Sequence, residues 1–337
     1  MKALSTRSKS VQLLKTVLTV VLLMLIGGAI GTAQQKVTRA PQPTPQSESS
    51  DTNTSRNQQI IVNTDLVTLT VSVADDRGRY LPGLTKKEFT IIDNKTPQEI
   101  SFFSDADSPV SVGIVFDVSG SMSGEKIERA QAAFSGFIDT SHQDDEYFLI
   151  GFNSQPQLLL NKSRSAEAVL NKLTFVKPQG STALYDATYL ALEHVTRGSH
   201  KKRALLIISD GQDNNSRYTF SQLRRALKES DVFIYAIGIE GPTPGDVLDV
   251  FGKMLLSELA VSSGGRMFFP ANTAALIEAL ETIALELRHQ YSIGYRPSNF
   301  ATDGKWHRVK ILVTPPREVK RVFVRSREGY YAVGSRR

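Results

Sequence analysis

Apolar and polar residues alternate over residues 67–73, directly after Leu66, and this period of two predicts a half-buried β-strand. Short apolar runs at Phe89–Ile92 and Ile100–Phe103 predict two further strands, with a turn around Asp93–Lys95 between them. Three or four short strands make only part of a sheet and leave edges that need partners. We therefore expect other strands of the chain to complete this sheet.

Between Val110 and Arg296 the pattern alternates between helical and strand periods, which is typical of an α/β fold with a doubly wound, mostly parallel sheet. The runs Ala204–Ile208 and Val232–Ile237 are apolar throughout, as strands buried on both faces are. We predict helices at Glu125–Thr140, Ala166–Leu173, Ala183–Val195, Phe220–Ser230, Asp246–Val261 and Asn272–Gln290, and strands at Val112–Phe116, Tyr147–Phe152, Gln157–Leu160, Ala204–Ile208, Val232–Ile239 and Arg266–Phe269.

Strand patterns return after the last predicted helix, at Tyr291–Tyr295, Trp306–Thr314 and Arg321–Arg325. We infer that they complete the sheet begun at residues 62–103. The α/β domain, residues 108–291, would then be inserted between N- and C-terminal β-strands that form a smaller β-sandwich-like domain from residues 59–107 and 292–334. Two separate, incomplete β-pieces are the alternative, and each would leave open edges.

The N-terminus has the pattern of an export signal. Four basic residues precede the apolar run Val17–Ile30, and the small residues Gly31–Ala33 follow it. We predict a signal peptide at residues 1–33 or, if it is not cleaved, a membrane anchor, although the run is shorter than the ~20 residues of a spanning helix. Residues 34–58 are polar and proline-containing, which predicts a disordered linker. Both alternatives place the remainder in the periplasm, at the cell surface or outside the cell.

The formal net charge of +6 does not describe the folded part. Residues 1–57 contain seven of the 40 Lys and Arg residues and two of the 34 Asp and Glu residues, which leaves 33 basic and 32 acidic residues in the remainder. The folded part is therefore nearly neutral, and nothing in it indicates a nucleic-acid partner. The chain has no cysteine, which excludes thiol nucleophiles, thiolate zinc sites and disulfides.

Oxygen-bearing side chains follow the predicted strand Val112–Phe116. Asp117, Ser119 and Ser121 offer one carboxylate and two hydroxyls on alternate residues, and a predicted helix begins near Gly124. Oxygen ligands at the carboxyl end of a parallel strand suit a hard divalent cation. Asp, Ser and Gly are also ordinary turn residues, so this segment alone does not distinguish a metal site from a turn.

Enzymatic motifs are absent from the same region of the sequence. Lys126 follows Glu125 and precedes Ile127, so the Walker spacing Gly-x₄-Gly-Lys-Ser/Thr fails, and no Gly-x-Ser-x-Gly elbow occurs. We expect a protein that is not an enzyme. We also expect the basic run Lys201–Arg203 to be a solvated loop and the histidines to be surface residues; these are His142, His194, His200, His289 and His307.

Three segments resemble, in the expected order, the parts of the metal-ion-dependent adhesion site of von Willebrand factor A domains. They are Phe116–Met122 (FDVSGSM), Gly180–Asp186 (GSTALYD) and Ser209–Gly211 (SDG). With its flanks, over about residues 60–332, the chain is similar to bacterial VWFA-related proteins of the type grouped from acidobacteria. The resemblance implies a complete site in which Ser119, Ser121 and Thr182 ligate a metal directly, while Asp117 and Asp210 act mostly through bound water.

The resemblance implies an exported, metal-dependent protein-binding module of the adhesion or assembly kind. Mg²⁺ suits the small oxygen site, and Mn²⁺ or Ca²⁺ are alternatives. Because neutral hydroxyls leave the cation's charge under-compensated, its open position should favour an Asp or Glu carboxylate from a protein partner. The sequence leaves two other functions open: an envelope component whose metal only stabilises the fold, and a metal-dependent hydrolase. Membrane contact is expected only through an uncleaved N-terminus, and nothing in the sequence predicts an oligomeric state.

Overall fold

The computed structural model describes residues 66–139, 141–239, 247–298 and 304–332, so the predicted signal or anchor and the predicted linker lie outside the described residues. The strands are β1 Val67–Asp75, β2 Phe89–Asp93, β3 Thr96–Gln98, β4 Ile100–Ser104, β5 Val110–Asp117, β6 Glu146–Phe152, β7 Pro156–Ser163, β8 Lys202–Ser209, β9 Phe233–Gly238, β10 Arg266–Phe268, β11 Tyr291–Tyr295, β12 Trp306–Val313, β13 Val322–Arg325 and β14 Gly329–Tyr331. The α-helices are α1 Glu125–Asp139, α2 Ala166–Thr174, α3 Leu184–Thr196, α4 Phe220–Glu229, α5 Val247–Ser263 and α6 Thr273–Arg288.

Six strands form the sheet that carries the candidate site, in the order β10-β9-β8-β5-β6-β7. All neighbouring pairs are parallel except β6 with β7. Every residue of β5 and β9 is buried, as expected for the central strands of such a sheet. The predicted α/β fold with a mostly parallel sheet is therefore confirmed, and β5 and β8 lie side by side with their carboxyl ends at one edge.

Helices cover both faces of this sheet. One hydrophobic cluster contains residues of α1, α2 and α6, including Phe134, Val169 and Leu280. A second cluster contains residues of α3, α4 and α5, including Ala191 and Leu223. Apolar side chains of β5 enter both clusters alternately, because successive residues of a strand point to opposite faces. This two-sided burial fixes the loops at the end of β5 between two layers of helices.

The remaining strands form two further four-stranded sheets, in the orders β13-β1-β11-β4 and β14-β12-β2-β3. β1 pairs antiparallel with β11, with Leu69 opposite Ile293, and β12 pairs antiparallel with β2. Strands from both flanks of the α/β part thus share both sheets, and their apolar side chains form one cluster. This pairing occupies the edges that the N-terminal strands alone would leave open. The proposed domain boundaries remain a prediction.

Two expectations about basic residues are wrong. Lys202, which was expected in a solvated loop, is the first residue of β8 and is 5% exposed. Its buried ammonium donates hydrogen bonds to the backbone oxygens of Ala106 and Arg288. His307 is buried beside Asp93, with its Nδ1 3.4 Å from a carboxylate oxygen. Both side chains are covered by segments distant in sequence, which local patterns do not reveal. No helix within the described residues is long and apolar enough to span a bilayer.

Candidate metal centre

The first loop of the site begins where β5 ends. Asp117 is fully buried, and its Oδ1 accepts a hydrogen bond of 2.9 Å from the backbone N–H of Ser119. This bond turns the chain sharply, and a single 3₁₀ turn, Gly120–Met122, leads towards α1. Ser119 is buried whereas Ser121 is exposed. The loop therefore presents one hydroxyl from inside the protein and one at its surface.

The hydroxyl oxygens of Ser119 and Ser121 lie 3.0 Å apart and form a hydrogen bond in which either can be the donor. Adjacent ligands of an octahedral ion with metal–oxygen distances of 2.0–2.1 Å are separated by about 2.9 Å. The two hydroxyls are thus spaced as neighbouring ligands of Mg²⁺ would be. Among the described residues, no group of three or more His, Cys, Asp or Glu side chains is placed to hold a metal ion. A metal at this edge of the sheet would therefore depend on hydroxyl ligands.

The second loop, which carries Thr182, is bound directly to the first. The backbone N–H of Gly120 donates to the oxygen of Gly180 at 3.0 Å, and that of Gln179 donates to Val118 at 2.9 Å. Gly180 has a φ of +82°, and a β-carbon there would approach Ser154 Oγ to 2.8 Å, so the turn requires glycine. Thr182 is buried two residues before α3. The loop that carries Thr182 is therefore anchored to the loop that follows β5.

The third loop follows β8 and is joined to the first by one hydroxyl. Ser209 Oγ donates a 2.6 Å hydrogen bond to Asp117 Oδ2 and accepts one of 2.9 Å from the backbone N–H of Gly211. The next residue, Asp210, is 5% exposed. Its Oδ2 accepts a 3.0 Å hydrogen bond from the ammonium of Lys126, near the start of α1. Both carboxylates of the predicted set therefore lie at the same edge of the sheet.

The electrostatics of this edge favour a cation. Burial raises the pKa of Asp117 to about 6, and the neighbouring charge of Asp210 contributes in the same direction. Hydrogen bonds from Ser119 and Ser209 act against this rise. Lys126, whose side chain is 13% exposed, supplies one positive charge to the pair of carboxylates. A divalent cation would stabilise the ionised form of both.

Two further carboxylates near the three loops, Asp213 and Asp186, have partners within the protein. Asp213 accepts hydrogen bonds from Tyr185 N–H at 2.9 Å and Ser216 Oγ at 2.6 Å. Asp186 accepts from the backbone N–H groups of Arg217 and Tyr218, each at 2.9 Å. Both therefore bind the third loop to the start of α3.

Sequence reasoning gave no role to Ser209, Lys126 or Asn214, and the structure places all three at the site. Asn214 Oδ1 accepts a 2.8 Å hydrogen bond from the backbone N–H of Thr182, and its own N–H donates to Thr182 O at 2.9 Å. Ser209 could have been suspected, since it precedes Asp210 directly. Lys126 and Asn214 carry no local signal, because their contacts cross between loops.

The candidate metal centre lies within a region that matches a known protein family. The profile of the von Willebrand factor type A domain matches residues 112–212, which include all five predicted ligand residues. The chain contains a von Willebrand factor type A domain. A solved von Willebrand factor type A structure from Catenulispora acidiphila has a TM-score of 0.45 and 14% identity, with 73% of each chain covered.

The curated relatives match this chain over part of its length. An uncharacterised protein of Synechocystis sp. is 22% identical over 192 residues, which is 55% of this chain and 43% of that protein. The human voltage-dependent calcium channel subunit alpha-2/delta-3 is 30% identical over 152 residues, 40% of this chain and 14% of that subunit. The chain thus matches less than half the length of either relative.

Proposed function

We propose that this protein is an exported, non-enzymatic binding module that uses a divalent cation, Mg²⁺ foremost, to hold a carboxylate of a partner protein. Ser119, Ser121 and Thr182 would be the direct ligands, and Asp117 and Asp210 would bind the cation mostly through water. Bound there, the cation would supply a positive charge to which a partner's carboxylate can bind. Mn²⁺ or Ca²⁺ are alternative occupants.

The observation that carries the proposal is the pair of hydroxyls 3.0 Å apart, Ser119 and Ser121, beside two buried carboxylates. Hydroxyls bring no negative charge to the ion, so a carboxylate from outside can still bind it strongly. Ser121 is exposed, which leaves the site open to a partner. Of the relatives, the calcium channel protein is by its name a subunit of a larger assembly, which supports a role in protein–protein contacts. The basic and apolar N-terminal segment supports export.

Calorimetric titration of Mg²⁺ tests the site. Wild-type protein is expected to bind, and Asp117→Asn and Ser121→Ala are expected to bind at least about tenfold more weakly, because each removes charge or a ligand from the ion. Ser123→Ala is the matched control, since Ser123 is exposed in the same loop and lies outside the predicted set. Undiminished binding by both site variants would refute the assignment.

Capture of envelope proteins by immobilised protein, with Mg²⁺ or with EDTA, tests the partner. A partner lost both in EDTA and with Ser121→Ala supports metal-dependent binding. If Mg²⁺ raises the melting temperature but no captured protein depends on it, the cation only stabilises the fold, and the proposed binding function is wrong.

A further inference from the structure

A cavity of about 620 Å³ lies away from the candidate metal centre, between the turn after β1, strand β10, helix α6 and strand β13. None of the five candidate metal ligands lines it. Its volume falls within the range of sites that enclose small organic ligands. It is partly open to solvent, and its walls are rich in arginine.

Two arginines of this cavity have hydrogen-bonding capacity that the protein does not use. Arg325 donates through Nη2 to Ser72 Oγ and to Glu286, while its Nη1 makes no hydrogen bond within the described residues and its side chain is 20% exposed. Arg266 donates through Nη1 to Gly78 O at 3.1 Å, the one hydrogen bond of its five-donor group within the described residues. Guanidinium N–H groups that the protein leaves unpaired at an accessible cavity can donate to the oxygens of an anion.

The charges lining the cavity are unbalanced. Four arginines line it, Arg77, Arg79, Arg266 and Arg325, together with the two carboxylates Glu278 and Glu286. Glu286 is paired with Arg325, and Arg79 is paired with Asp75. Burial and the neighbouring positive charge of Arg325 lower the pKa of Arg266. An anion between the two guanidinium groups would relieve their repulsion.

The cavity also has aromatic walls. The guanidinium of Arg266 lies 4.5 Å from the centre of the Phe268 ring. Tyr80 and His289 stack with their ring centres 4.8 Å apart, and Phe269 contributes a further ring that is 41% exposed. A ligand in this cavity would contact guanidinium groups on one part of the wall and aromatic side chains on another.

We propose that this cavity binds a small organic anion whose carboxylate or phosphate pairs with Arg266 and Arg325 and whose apolar body packs against Tyr80, Phe268 and Phe269. The planar fork of a guanidinium matches both oxyanions in geometry. The cavity is much larger than an inorganic ion, so the body of the ligand is needed to fill it. This site is separate from the metal centre and does not depend on the proposed function.

Calorimetry on the full chain with simple probes tests this site. Phenyl phosphate and benzoate are expected to bind, benzyl alcohol is not, and inorganic phosphate should bind more weakly than phenyl phosphate. Arg266→Gln should weaken binding roughly ten- to a hundredfold, because it removes a charge-assisted contact. Arg308→Gln is the matched control, since Arg308 is an exposed arginine on β12 and does not line the cavity. The preference between phenyl phosphate and benzoate identifies the head group.

A second variant keeps the test decisive if Arg266→Gln does not fold. Ala275 lines the cavity at the third position of α6, where the capping side chain of Asn272 accepts its N–H. Glutamate suits this position of a helix. Ala275→Glu is therefore expected to fold and to abolish anion binding by placing a carboxylate in the cavity.

Three results would each overturn the proposal. Benzyl alcohol could bind as tightly as the anions, neither anion could bind at millimolar concentration, or the folded variants could keep the affinity of the wild type. Asp117→Asn should leave anion binding intact, which separates this result from that of the metal centre.

Discussion

The hydroxyl of Ser209 joins two loops of the candidate metal centre, because it donates a hydrogen bond to Asp117 and accepts one from the backbone N–H of Gly211. Ser209→Ala removes both bonds and leaves Asp117 with one fewer donor. We expect Mg²⁺ affinity to fall roughly ten- to a hundredfold, as it does when a group that orients a metal ligand is lost. Isothermal titration calorimetry measures the change.

Ser111→Ala is the control for that variant. Ser111 is also a buried serine of the same sheet, but it lies near the opposite end of β5 and accepts a hydrogen bond from His200 N–H. Its loss should lower stability while leaving Mg²⁺ affinity within about twofold of wild type. If Ser209→Ala binds Mg²⁺ as tightly as Ser111→Ala does, Ser209 has no part in the site.

The ammonium of Lys126 donates to Asp210 Oδ2 and would therefore compete with a metal ion for this carboxylate. Because it must release or share Asp210 when a cation binds, Lys126→Met should bind Mg²⁺ more tightly, by roughly tenfold. Without metal the same variant should be less stable by about 1–3 kcal/mol, since Asp210 loses its buried partner. Thermal unfolding in EDTA and in Mg²⁺ measures both effects.

Lys172→Met is the control for this variant, because Lys172 is an exposed lysine in the last turn of α2. Neither the Mg²⁺ affinity nor the stability of the protein should change measurably in Lys172→Met. Weaker Mg²⁺ binding by Lys126→Met would mean that the ammonium helps the metal instead of competing with it.

At the scale of elements, helix α5 packs on the third loop through two glycines. A β-carbon on Gly252 would overlap the backbone oxygen of Asp210, and one on Gly211, whose φ is +84°, would overlap the backbone of Gly252. The helix can approach the loop this closely only because neither residue has a side chain. The position of Asp210 is therefore set partly by α5.

Gly252→Ala is expected to destabilise the protein, although a glycine-to-alanine change inside a helix is usually stabilising. Glycine to alanine in a helix normally stabilises by about 0.5–1 kcal/mol. Here it should destabilise by about 1–3 kcal/mol, because α5 must move off the loop, and Mg²⁺ affinity should fall with it. Urea unfolding and calorimetry measure the two. Ser257→Ala is the control, since Ser257 is a partly exposed residue of the same helix, and this variant should change neither stability nor Mg²⁺ affinity by much. If Gly252→Ala instead stabilises the protein, the proposed close packing of α5 on the loop is wrong.

At the scale of the whole molecule, Lys202 connects three segments that are far apart in the sequence. Its ammonium donates to Ala106 O, in the segment that enters β5, and to Arg288 O, at the end of α6. Burial lowers the pKa of Lys202 to about 8 from its ordinary 10.5. Asp107 and Asp145 partly offset this shift.

This shift gives Lys202 a defined contribution to the pH dependence of stability. Between about pH 8 and pH 10.5 the unfolded chain carries the proton and the folded chain does not, so the free energy of unfolding contributed by Lys202 rises with pH in that window. Below about pH 8 both states are charged, and its contribution is constant. Lys202→Met should therefore lose this rise, as seen in urea unfolding from pH 7 to pH 10.

The neighbouring Lys201 is exposed, so Lys201→Met should keep the wild-type pH profile. If the difference between Lys202→Met and wild type does not change with pH, the lowered pKa is wrong.

Much of the fold was predictable because its signals are local. The helix predicted at Phe220–Ser230 is observed at Phe220–Glu229, where Thr219 and Gln222 form a capping box. The buried runs at Ala204–Ile208 and Val232–Ile237 became central strands, since a strand covered on both faces must be apolar throughout. His307 was misjudged because nothing near it in sequence shows that Asp93, more than two hundred residues away, lies beside it.

The sequence by itself determined the order of the elements and the three oxygen-bearing loops, because turn residues, apolar periods and helix caps act over a few residues. The tertiary structure alone decided that Ser209 holds Asp117, that Lys126 neutralises Asp210 and that Asn214 binds Thr182. It alone decided that strands of both flanks share two sheets and that Arg266 and Arg325 meet in one cavity. These are contacts between segments far apart in the chain. Their partners are chosen by how the layers pack, which no local pattern records.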